Sequence, residues 1–159
     1  MKKNTIVEII SALLVFLFIY AALSKLLEFD KFKYQLSQSP FITNISWLVV
    51  WAIPVGEILI SISLLIKRTR PAGLYLSFFL MLLFTGYIFI MLKYSSYLPC
   101  SCGGVLSSMS WKQHFFFNLA FTGLSVLGIV MQNIHSNEKL IKDAVNRNEA
   151  EHLKKKVGV

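Results

Sequence analysis

The sequence predicts an all-α integral membrane protein: a four-helix bundle with both termini in the cytoplasm. Three observations lead to that reading. Hydrophobic residues make up 55% of the 159 residues and charged ones only 15%, against about 25% charged in a typical soluble domain. The apolar residues fall into four long runs almost free of charge. The basic residues sit at the ends of those runs, more of them on one side than on the other. A net charge of +8 would by itself suggest nucleic acid. Basic residues that flank apolar runs form no continuous face, however, and that excludes a nucleic-acid binder.

Crossing ~30 Å of hydrocarbon takes about 20 apolar residues in a helix. The four runs that qualify are Ile6–Leu27, Asn44–Ile66, Ala72–Leu92 and Trp111–Ile134. Each is apolar around its whole circumference, which would leave a soluble helix no face for water. Barrel strands alternate over about ten residues, and these runs do not. The first run follows Met1-Lys2-Lys3 and carries a weak cleavage-like Ala22-Leu23-Ser24. Its length favours a retained helix over a signal peptide.

Basic residues near span ends prefer the cytoplasm. The N-terminus, the Lys67–Arg70 connection and the C-terminal tail share one side and carry eleven Lys and Arg; the other side carries five. Both termini are therefore expected inside. Trp47, Trp51 and Trp111 open the second and fourth spans, where indole rings mark the headgroup layer. Residues 1–134 are read as one four-span membrane domain and residues 135–159 as a basic cytoplasmic tail. Its Leu140, Ile141, Ala144, Val145 and Leu153 follow a rough helical stripe, which fits a helix lying on anionic lipid or a solvated tail.

The only two cysteines, Cys100 and Cys102, lie in Tyr97-Leu98-Pro99-Cys100-Ser101-Cys102-Gly103-Gly104, between the third and fourth spans. On this topology they face an oxidising compartment, where disulfides persist. Pro99 and the paired glycines favour a tight turn. A bond across so short a ring would be strained, and strained, exposed disulfides tend to exchange. A clip that only shapes the loop is the structural alternative, although closing a short loop stabilises little. Copper(I) held by the two thiolates, with His114 or Met109, is the metal alternative. A closed zinc site needs four ligands, and too few are at hand.

Ionisable residues within spans need an explanation. Glu57 lies deep in the second span, three residues after Pro54, beside the small Ala52 and Gly56. It reads either as a proton-handling carboxyl or as a hydrogen bond between helices. Lys25 closes the first span, where it can snorkel outward as an anchor or act on the cysteines, whose thiolate forms a nearby cation favours. Counted from Asn44, Glu57 lies about 20 Å from the outer end. A direct pair with Lys25 is therefore not expected unless a kink or a later helix start narrows the gap. His114 and Asn118 share a helix face at i, i+4. His114 can take a thiol proton or bond a carbonyl, or it is simply interfacial.

Ala22-Leu23-Ser24-Lys25, Pro54 with Glu57, Cys100-Ser101-Cys102-Gly103-Gly104, Trp111 and Asn118 together resemble the MauE/DoxX-like family of small four-helix membrane proteins, especially its methylamine-utilisation MauE branch. The resemblance covers roughly residues 5–134. It implies a bacterial inner-membrane protein that supports oxidative maturation of disulfide-rich extracytoplasmic proteins; the cysteine pair itself is read as exchanging with a thioredoxin-like extracytoplasmic partner. For DoxX-like relatives it also implies a membrane quinone as a cofactor. The Cys-X-Cys spacing departs from the Cys-X-X-Cys of better-known disulfide generators, and no second cysteine pair is present to relay electrons. The reading is therefore a thiol–disulfide redox protein with Cys100 and Cys102 as its reactive pair and Lys25, Glu57, His114 and Asn118 in support. An assembly subunit and a copper-handling protein are the alternatives.

Overall fold

The computed structural model describes residues 2–37, 45–94 and 110–157. Among the described residues the helices are α1 (Lys2–Leu27), α2 (Phe29–Ser37), α3 (Ser46–Leu65), α4 (Arg70–Tyr94) and α5 (Trp111–Val157). In hydrocarbon no water can bond the backbone, so a lone segment satisfies its own amides and carbonyls only as a helix. α1, α3, α4 and α5 are each long and apolar enough to cross a bilayer. The protein is a multi-pass membrane protein, and each span falls on one of the four predicted runs.

α1 packs on α3 and α5, and α4 packs on the same two, so the spans close into a ring with α1 and α4 diagonal. Only 28–33% of each span's apolar window is buried inside the protein, which leaves most of each surface to lipid. What is buried follows helical spacing. Val7, Ile10, Leu14 and Phe18 of α1 meet Ile60 and Leu64 of α3 and Leu74 and Met81 of α4. Gly128 brings α5 close to the others: a Cβ there would stand 2.9 Å from Leu74 and 3.2 Å from Ile10.

The α3–α4 connection is pinned by reciprocal bonds. Ser63 Oγ donates to the Thr69 carbonyl at 3.1 Å, and Thr69 Oγ1 donates to the Ser63 carbonyl at 2.9 Å. Arg70 Nε donates to the Leu64 carbonyl at 3.2 Å, and its guanidinium lies 3.9 Å from Glu8. At the opposite end of the bundle lies α2, in a segment to which the sequence reading gave no structure. Nine residues are too few to hold a helix in isolation. Phe32 and Leu36 hold it against Val50 of α3, and the Phe29 and Trp51 rings meet at 5.1 Å.

α5 runs unbroken from Trp111 to Val157. The residues read as tail continue the fourth span as helix, and residues 136–152 of that continuation are exposed. A helix continuous with a span carries the chain away from the bilayer, so a helix lying flat on lipid does not describe it.

Candidate functional site

The buried stripe of α1, Val7, Ile10, Leu14, Phe18 and Ala22, ends on Lys25. The corresponding stripe of α3 passes through Val50, Pro54, Glu57, Ser61 and Leu64. The two meet. Lys25 Nζ donates to Glu57 Oε1 at 2.7 Å and to the Ala21 carbonyl at 3.3 Å, and it lies 5.7 Å from the centre of the Phe84 ring. The Glu57 side chain is fully enclosed. Lys25 is only 8% exposed, so it points into the bundle instead of snorkelling outward.

The expected depth mismatch between these residues is overturned, for a geometric reason. Side chains tilt toward the N-terminus of their helix, and α1 and α3 are consecutive spans of opposite direction. Lys25 therefore leans inward, toward Ala21, while Glu57 leans outward to meet it. α3 also begins at Ser46, later than the Asn44 boundary, and that shortens the path further. Pro54 has no amide to offer the Val50 carbonyl one turn back. One turn after Glu57, Ser61 Oγ donates to the Glu57 backbone carbonyl at 2.8 Å.

α5 brings its own polar face to this end. His114, Asn118, Thr122 and Ser125 are all buried. Asn118 Nδ2 donates to the His114 carbonyl at 3.0 Å, and Thr122 Oγ1 donates to the Asn118 carbonyl at 2.8 Å. Thr122 and Thr85 of α4 share a hydroxyl–hydroxyl bond of 3.3 Å. The first turn of α5 is fixed by a reciprocal cap: the Ser110 amide donates to Gln113 Oε1 at 2.9 Å, and the Gln113 amide to Ser110 Oγ at 3.4 Å. That is the capping-box arrangement.

Of the six residues singled out from sequence, Lys25 and Glu57 are in direct contact. Asn118 bonds the His114 backbone, and both are buried on the same face of α5. Cys100 and Cys102 lie outside the described residues. Sequence reasoning missed Phe84, Thr85, Thr122 and the Ser110–Gln113 cap. Two signals were there to find them: the continuation of the His114–Asn118 spacing to Thr122, and the Ser-X-X-Gln that opens α5.

Chemically, the ammonium and carboxylate cancel in net charge and present a fixed dipole. Glu57 Oε2 is buried with no hydrogen-bond partner among the described residues. Such an oxygen accepts a proton or a donor from whatever binds beside it.

Comparison with curated proteins and with solved structures returned no match. A family model described as methylamine utilisation protein MauE matches residues 3–131, which takes in the first three apolar spans and the fourth as far as residue 131, and the chain belongs to the MauE family.

Proposed function

We propose that this MauE-family protein is an inner-membrane thiol–disulfide exchange protein in bacteria, with both termini cytoplasmic and Cys100 and Cys102 on the far side. One observation carries the reading: the buried Lys25–Glu57 pair sits at the end of the bundle where the cysteine-bearing segment leaves α4 and enters α5. The excess of basic residues at the other end supports the orientation.

In the exchange, one thiolate of the Cys100/Cys102 pair attacks a disulfide sulfur of a thioredoxin-like partner. A mixed disulfide forms and the partner's other sulfur leaves as thiolate. The second cysteine of the pair then attacks the mixed disulfide from within the chain, which releases the partner as a dithiol. Two electrons and two protons have passed to the partner, and Cys100 and Cys102 are joined. The reverse exchange follows the same steps backward. His114 takes the proton of the attacking thiol, Asn118 holds its helical turn, and Lys25 with Glu57 sets the field around it.

The test is capture of an intermediate. One of Cys100→Ser and Cys102→Ser accumulates a mixed disulfide with an extracytoplasmic partner, and the double variant accumulates none. Failure of both single variants to capture any partner, with function kept in the double variant, removes the exchange reading and leaves a loop that only docks.

A further inference from the structure

α3 carries two acceptors on its buried face. Pro54 leaves the Val50 carbonyl without its helical amide, and Val50 and Pro54 are both buried. Glu57, itself fully buried, has Oε1 on Lys25 and Oε2 without a hydrogen-bond partner among the described residues. Seven residues make two turns, so Val50 and Glu57 share this face, about 10 Å apart along the axis. The carbonyl points toward the C-terminus of α3 and the carboxylate leans back toward its N-terminus. Both oxygens therefore turn toward the level of Pro54. Beside them, Lys25 Nζ carries three protons. Glu57 Oε1 at 2.7 Å and the Ala21 carbonyl at 3.3 Å take two of these, and a third remains to donate.

We propose that a single buried water occupies the Pro54 turn of α3, donating to the Val50 carbonyl and to Glu57 Oε2 and accepting from Lys25 Nζ. In hydrocarbon a carbonyl stripped of its amide needs another donor, and ordered water is one of the groups that serve proline-bearing spans. A water inserted into the helical ladder also accounts for bending at such a turn. Three partners fall within the two to four that a buried water makes.

The balance of donors and acceptors favours water over other small ligands. Two acceptors and one donor converge, and water offers two protons and a lone pair to match them. A hydroxyl has one proton and serves only one of the acceptors. An ammonium has no lone pair and would set a second positive charge against Lys25. Phe32 and Leu36 of α2 pack on Val50, which closes the site on that side and holds the water in place. Through it the backbone of α3 is tied to the Lys25–Glu57 pair, and an α3 with its ladder intact would take away one of the three partners.

This site does not rest on the thiol-exchange reading, and its test uses the full-length chain in lipid bilayers. Solid-state NMR transfer from water protons reads hydration carbon by carbon. Val-Trp, Gly-Glu and Leu-Tyr each occur once in the chain, so paired labelling assigns Val50, Glu57 and Leu74. Leu74 lies in the apolar core, and its carbonyl serves as the dry control. Transfer to the Val50 carbonyl and the Glu57 carboxyl should be about fivefold above that to Leu74. Pro54→Ala gives the Val50 carbonyl its amide back. It should drop the Val50 transfer to the Leu74 level while the Lys25–Glu57 contact persists. Val50 and Glu57 as dry as Leu74, or a Val50 transfer unaltered in Pro54→Ala, would overturn the proposal. A dry Glu57 beside a wet Val50 would overturn it too, since one water then fails to join them.

Discussion

Lys25 and Glu57 are separated by 32 residues of chain, yet their side chains meet at 2.7 Å inside the bundle. Neither is placed there by its own preference, since both would be better hydrated at the surface. The apolar stripes on which they lie carry them in: once Phe18, Ala22, Val50 and Leu64 are packed, Lys25 and Glu57 have nowhere else to point. The pair ties α1 to α3 at the end of the bundle where α2 also packs on α3.

That origin fixes what substitution does. Removing one partner leaves the other as an uncompensated buried charge, a loss of about 3–5 kcal/mol. Lys25→Met and Glu57→Leu should each cost that much in unfolding from mixed micelles. The double variant should cost clearly less than the sum, with a coupling of about 1–3 kcal/mol. Simple additivity of the two single variants would show that the contact is not a working pair in the membrane-embedded protein.

The spans were legible because a bilayer imposes a length, and four apolar runs of that length stand plainly in the sequence. Lys25 and Glu57 were each legible as ionisable groups in apolar surroundings, but their contact was not. Depth was counted along helix axes, and the opposed tilt of side chains on antiparallel helices was left out. α2 escaped notice for another reason: its helicity depends on Val50 and Ile53 of a distant segment. On α5, His114 and Asn118 were noticed as a pair on one face, whereas the polar face continues through Thr122 and Ser125. That face is hidden in a composition average because the lipid side of the same helix is strongly apolar.

Two glycines of α5 should behave oppositely. A side chain at Gly128 would press on Leu74 and Ile10, and overpacking a filled interior costs about 1–3 kcal/mol. Gly128→Val is thus expected to lower the unfolding midpoint in bicelles. Gly123→Ala meets nothing within 4 Å and should gain about 0.5–1 kcal/mol from relieved helix entropy. A loss at Gly123 as large as that at Gly128 would mean the helix is rotated from the arrangement described.

The Thr85–Thr122 contact joins α4 to α5, but each hydroxyl has one proton, so when one donates across to the other it gives up its own carbonyl, Met81 at 2.7 Å for Thr85 or Asn118 at 2.8 Å for Thr122. Losing the contact between them leaves no carbonyl stranded. Thr85→Val and Thr122→Val should each cost about 0.6 kcal/mol and no more than about 1.7, the range measured for bonds between membrane helices. Unfolding measured for the single and double variants checks this. A cost well above that ceiling would assign the pair a structural weight that its geometry does not explain.

The cap at Ser110 lies between the cysteine-bearing segment and His114, and its loss should be felt at both. Ser110→Ala removes the hydroxyl that receives the Gln113 amide, a change worth about 1 kcal/mol at a helix start. The first turn of α5 should then open more often, and amide exchange at Gln113 and His114 should speed about fivefold while exchange deeper in α5 stays the same. His114 rides on that turn through the bond from its amide to the Ser110 carbonyl at 2.9 Å. Any thiol exchange that depends on His114 should therefore slow in the same variant, although no ionisable group has been altered. If exchange kinetics at the cysteines are unchanged while the turn frays, His114 is not the proton acceptor.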